Sequence, residues 1–121
     1  MRKILSAKDA YEYVESMYLG EEKEKRVILI YMKGDGTMIG WNDQTENNAM
    51  ICIGVLIKAE RAILVTNHPS GSSLPEQEDI EQTRNVKELL GAAKIGLADH
   101  IIVGYKEFYS YAEEQVKFVR R

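Results

Sequence analysis

At 121 residues, 45% of them hydrophobic and 29% charged, the chain fits one compact domain with a single core and leaves little room for long disorder, a collagen-like repeat or a coiled coil. Lys and Arg number 16 against 19 Asp and Glu, a formal charge of -3, opposite in sign to the footprint of an autonomous nucleic-acid binder. The longest apolar run, Met50 to Ile57, is far shorter than a membrane span, and the N-terminus lacks the charged-then-apolar pattern of a secretory leader, so the cytoplasm is the expected compartment.

Ser6 followed three residues later by Asp9 signals a helix start, and Tyr11, Val14, Met17 and Tyr18 recur at helical spacing, which predicts a first helix over roughly 7 to 19, closed by Gly20. A charged stretch from Glu21 to Arg26 leads into Val27 to Met32, an apolar run rich in β-branched residues. Gly34-Asp35-Gly36 turns the chain into a second strand, Thr37 to Trp41, and Asn42 to Asn48 reads as a loop. The apolar stretch to about Lys58 fits a buried helix or a strand, and a helix is favoured. Its lone cysteine, Cys52, has no partner for a disulfide and is expected to serve as a small buried hydrophobe.

A clearer strand, Ala62 to Thr66, ends abruptly in the turn-forming run Asn67 to Ser73, so a strand delivers His68 to its own end. Pro75 suits the first turn of a helix, and Glu76, Glu78 and Asp79 place negative charge at the positive end of its dipole. Ile80, Thr83, Val86 and Leu90 continue one face toward Gly91. Two strands follow, Leu97 to Val103 and Glu107 to Tyr111, and then a polar tail in which Lys117, Arg120 and Arg121 read as solvated charges. The Tyr-rich segments 11 to 18 and 105 to 111 read as core edges.

This order predicts one mixed sheet with helices packed on it, an α/β or α+β sandwich, rather than a doubly wound nucleotide-binding fold. Gly34-Asp35-Gly36 lacks both the spacing of a phosphate loop and the helix that must follow one.

The second half carries four segments in a telling order: Asn67-His68-Pro69-Ser70-Gly71, Pro75 with Asp79 four residues on, Asp99-His100-Ile101-Ile102-Val103-Gly104, and Tyr109-Ser110. Together they resemble the RadC-type domain of the JAB/MPN (JAMM) metallopeptidase superfamily, and the first half agrees in outline through its helix, its hairpin and a shortened second helix. The resemblance implies a single JAB/MPN-like domain over residues 1–121, with the layered architecture of the cytidine-deaminase type, in a family whose name is associated with DNA repair. The helical DNA-binding-type segment that often precedes this domain in the family is not expected here. The resemblance also implies a zinc site, in which the two histidines of His-x-His and the downstream aspartate hold the metal. A serine near that aspartate helps position an oxyanion, and an upstream glutamate moves the proton.

Catalytic zinc needs three protein ligands, a water whose pKa it lowers, and a separate acid/base group. His68 stands at the second histidine position and Asp79 at the aspartate position. Thr66, a poor zinc donor, stands at the first histidine position, and Glu76 at the serine position. The upstream glutamate falls near Gly40 or Trp41, neither of which can shuttle a proton, and Glu46 is the nearest carboxylate after them. Glu76 lies one helical turn before Asp79 and could supply a second oxygen beside His68, or both acids could simply stabilise a helix start. His68 could equally orient its loop, and His100, set in an apolar strand, reads as a hydrogen-bonded structural histidine.

These departures point to a RadC-like domain that has lost zinc and hydrolase activity and acts by binding a protein or peptide. The rival is an active metal-dependent hydrolase of peptidase or isopeptidase type, using His68, Asp79 and Glu76 with zinc or a harder cation. A third reading takes the family name literally and makes the protein DNA-associated, against its acidic balance.

Overall fold

Six consecutive apolar residues from Val27 form a strand in which every side chain is buried, and that is possible only where both faces of a sheet are covered. The computed structural model, which describes residues 2–15, 24–43 and 47–119, shows that cover. Its elements are α1 (Ala7–Glu15), β1 (Val27–Met32), β2 (Met38–Asp43), α2 (Asn47–Leu56), β3 (Arg61–Asn67), α3 (Gln77–Ala92), β4 (Gly96–Val103), β5 (Glu107–Ser110) and β6 (Gln115–Phe118). They build one six-stranded sheet in the order β2-β1-β3-β4-β5-β6. Only β3 and β4 are parallel, and α3 is the crossover between them. The expected mixed α/β architecture is therefore present.

Strand alternation divides the core in two. Ile28, Ile30 and Met32 join Ile63, Val65, Ile101 and Val103 beneath α1, whose Ala7, Ala10, Tyr11 and Val14 face them. The Tyr11 ring stacks on Phe108 with centroids 4.5 Å apart. On the other face Val27, Leu29, Tyr31, Ala62 and Leu64 meet Val86, Leu90 and Ile95. The start of α1 follows its sequence signal: Ser6 Oγ accepts the Asp9 N–H and the Asp9 carboxylate accepts the Leu5 N–H. The expected continuation of this helix to residue 19 lies outside the described residues.

The apolar stretch is the helix that was favoured, and α2 lies so close that a Cβ on Gly54 would stand 2.9 Å from Ile95 Cδ1 and 3.1 Å from Tyr31 Cε1. Other expectations change. Cys52 is exposed rather than buried. β2 runs on to Asp43, beyond the expected end at Trp41. On α3 the buried positions are Asp79, Val86 and Leu90, while Ile80 is 48% exposed, because the first turn presents its aspartate inward. The supposed polar tail contains β6, held against β5 by backbone pairing. Among the described residues, no helix is long and apolar enough to cross a membrane.

Candidate functional site

At the C-terminal end of β3 the chain leaves the sheet and folds back over β4. The His68 N–H donates to Val103 O at 2.9 Å, which fixes the residue at the end of the central strand pair, and His68 is only 8% exposed. The loop that follows is pinned from beneath. Ser73 donates both its N–H and its hydroxyl to Glu107 Oε2, and the Tyr105 N–H donates to Gly71 O. Gly104 makes that contact possible: a Cβ there would stand 2.5 Å from Gly71 O and 2.9 Å from Ser73 N.

α3 then enters with Glu76 as its N-cap. The Asp79 carboxylate turns back to accept the Glu76 N–H at 2.7 Å, as a helix-start acid does. His68 Nε2 lies 2.8 Å from the same oxygen, Oδ2. The other ring nitrogen, Nδ1, donates to Ser72 O at 2.9 Å, since a carbonyl can only accept. The structure thus brings His68 and Asp79 together. Glu76 is set apart: its carboxylate is 71% exposed and reaches the imidazole on the Nδ1 side, at 3.9 Å.

Thr66 is fully buried, two residues before His68, and its hydroxyl meets His100 Nε2 at 2.8 Å. His100 Nδ1 meets Thr83 Oγ1 at 2.6 Å, and the Thr83 hydroxyl donates to the Asp79 carbonyl at 2.7 Å. Those contacts fix the proton order. Thr83 has one hydrogen and gives it to a carbonyl, so it accepts from His100 Nδ1–H. Nε2 is then the bare nitrogen and accepts from Thr66. Burial lowers the His100 pKa to about 3, so a neutral ring agrees with this assignment. Beside it, Asp99 accepts from Ser110 Oγ and from the N–H groups of His100 and Ala112, and burial raises its pKa despite those bonds.

One charged residue that the sequence reading passed over, Lys25, completes the pocket. Asn67 bonds the backbone on both sides of residue 25, accepting the Arg26 N–H at 2.6 Å and donating to Glu24 O at 3.0 Å. Lys25 is thereby carried to α3, where Nζ stands 3.3 Å from Glu78 Oε1 and 3.7 Å from Asp79 Oδ1. The expected upstream carboxylate is absent from Gly40 and Trp41, which lie on edge strand β2. The carboxylate at the end of that strand, Asp43, is paired with the Arg26 guanidinium. Glu46 lies outside the described residues. Lys25, His68, Ser70, Glu76, Glu78 and Asp79 line a pocket of about 210 Å³. A larger groove of about 570 Å³ lies on the α1 side of the sheet, lined by Tyr11, Phe108 and Phe118 and remote from these residues.

A family model described as the RadC-like JAB domain matches residues 4–116. The chain belongs to this family. Its RadC-like relatives include UPF0758 proteins of Streptococcus suis (strain 98HAH33), 30% identical over 113 residues, and of Carboxydothermus hydrogenoformans, 31% identical over 121 residues. A third, from Chlorobium phaeovibrioides, is 33% identical over 124 residues. These alignments cover 84%, 93% and 93% of this chain but 46%, 53% and 54% of the relatives, so the chain spans about half the length of the proteins it matches. In this RadC-like domain the motif Asn67 to Gly71 is the strand-end loop, Asp79 opens α3, and Asp99 to Gly104 is the parallel partner strand on which the loop rests.

Lys25 escaped the sequence reading for a physical reason: Asn67 carries it to the pocket, and no fixed spacing along the chain links residue 25 to residue 79. Asn67 was the one available signal, since a buried Asn beside a motif histidine must bond some backbone segment.

Proposed function

We propose that this RadC-like domain is a cytoplasmic, non-catalytic member of its superfamily that acts by binding a protein or peptide. The observation that carries the reading is the engagement of Thr66. At the position where the superfamily's pattern places a metal-binding histidine, a buried hydroxyl gives its hydrogen to His100 and so has no reason to turn toward a metal. A zinc centre requires three protein donors around an open position. Here His68 Nε2 and Asp79 Oδ2 face each other with no third side-chain ligand beside them among the described residues, Glu76 approaches the wrong nitrogen, and an ammonium stands beside the remaining Asp79 oxygen. The donor set does not fit zinc.

The reading also draws on the missing base. Nothing at Gly40 or Trp41 can move a proton, and Asp43 is neutralised by Arg26. An active hydrolase built on His68, Asp79 and Glu76 would need Glu76 to swing to the other side of the imidazole, and no contact favours that move. Direct DNA binding is opposed by the net charge of -3. A salt-dependent mobility shift at low salt would revive it.

The test is hydrolysis of peptide and isopeptide-linked substrates by the purified protein with zinc supplied. No turnover above background is expected, in the wild type and in His68→Ala alike. Zinc-dependent turnover that disappears in His68→Ala would overturn the proposal.

A further inference from the structure

We propose that Lys25 is a tethered cation that takes over the charge-balancing part of a metal ion at Asp79, and that the pocket is assembled around this ammonium. The inference rests on the metal-free reading above and deepens it.

The starting point is the burial of Asp79. Its side chain is 1% exposed, and while Oδ2 accepts from Glu76 N–H and faces His68, Oδ1 is buried with no hydrogen-bond donor among the described residues. A buried carboxylate oxygen left in that state is costly, and it persists only if a positive charge is held nearby. Lys25 Nζ stands 3.7 Å from that oxygen. At such a range an ammonium supplies charge rather than a formed hydrogen bond, which is also what a cation at this place would supply.

Lys25 is not there by the chance of a long surface side chain. Asn67 clamps the backbone at residues 24 and 26, so the Cα of residue 25 is fixed relative to the motif loop. Asn67 is itself 1% exposed and immediately precedes His68. One asparagine therefore aligns both the histidine and the lysine with the same carboxylate. The Lys25 side chain is 31% exposed, partly withdrawn from water, and its second partner, Glu78, is 80% exposed. An ion pair to Glu78 alone would be of the exposed kind that contributes little. The buried partner gives the contact its weight.

Without Lys25 the domain should lose stability, because Asp79 Oδ1 is then buried with neither a donor nor an ammonium beside it among the described residues.

The experiment compares the 121-residue wild type with Lys25→Met, Lys25→Arg, Asp79→Asn and the Lys25→Met/Asp79→Asn double variant, by thermal unfolding with and without zinc chloride. Lys25→Met is expected to melt about 4 °C or more lower, Lys25→Arg to stay near the wild type, and in the Asp79→Asn background the Lys25→Met substitution should cost nothing. If Lys25→Met fails to fold, rescue by Asp79→Asn supports the proposal, and failure of that rescue overturns it. A Lys25→Met protein with the wild-type melting temperature, or one that loses as much in the Asp79→Asn background, also overturns it, while leaving the metal-free reading intact. Zinc stabilisation of the wild type would instead overturn the metal-free reading itself.

Discussion

His100 shows how much a single buried ring can constrain its surroundings. It lies between two threonine hydroxyls, stacks on Tyr111 at a centroid distance of 4.9 Å, and faces Asp79, Lys25 and His68 across the pocket. Its pKa in the folded state is held at about 3, chiefly by burial, against 6.5 for the free side chain. Because the folded value is the lower one, the unfolded chain takes up a proton that the folded chain refuses. Stability from this source is thus complete above pH 6.5 and is lost as pH falls toward 3, by up to about 1.4 kcal/mol per pH unit. Urea denaturation at pH 7 and pH 4.5 should show the wild type losing stability more steeply than His100→Gln over that interval; equal slopes would contradict the neutral-ring assignment. Thr66→Val tests the same chain from its other end. It keeps the shape and removes the only hydrogen offered to Nε2, at an expected cost of roughly 1–3 kcal/mol, measurable by the same titrations.

At the scale of elements, the β3–α3 loop is positioned by what lies under it. Gly104→Ala would drive a methyl group into Gly71 O and Ser73 N, which are backbone atoms with no side-chain freedom to yield. The expected loss is about 1–3 kcal/mol, and amide exchange should report increased opening at residues 71 to 73. The motif glycine at the end of β4 and the motif loop after β3 were both visible in the sequence, but that one exists to admit the other was not. β6 was missed for a comparable reason: Gln115-Val116-Lys117-Phe118 carries only two apolar residues, and its pairing with β5 is a backbone matter. Ile80 misled because helical spacing identifies a face without its exact bearing. The choice between Asp79 and Ile80 as the inward residue was made by His68, eleven residues away from Asp79.

The whole molecule is a sheet covered on both sides, with its chemistry confined to one end of the parallel β3–β4 pair. Much of that arrangement was legible. Apolar runs marked the central strands, turn residues marked the site loop, and the motif order indicated the family that the comparison then established. What remained hidden was Lys25, brought to the pocket by Asn67. Under the proposal it makes His68 and Asp79 a charge-balanced structural pair rather than a depleted metal site. The most direct measurement is calorimetric titration of zinc into the metal-stripped wild-type protein near neutral pH. The account predicts no saturable heat at protein concentrations of tens of micromolar. A one-to-one isotherm that is abolished by His68→Ala would contradict it.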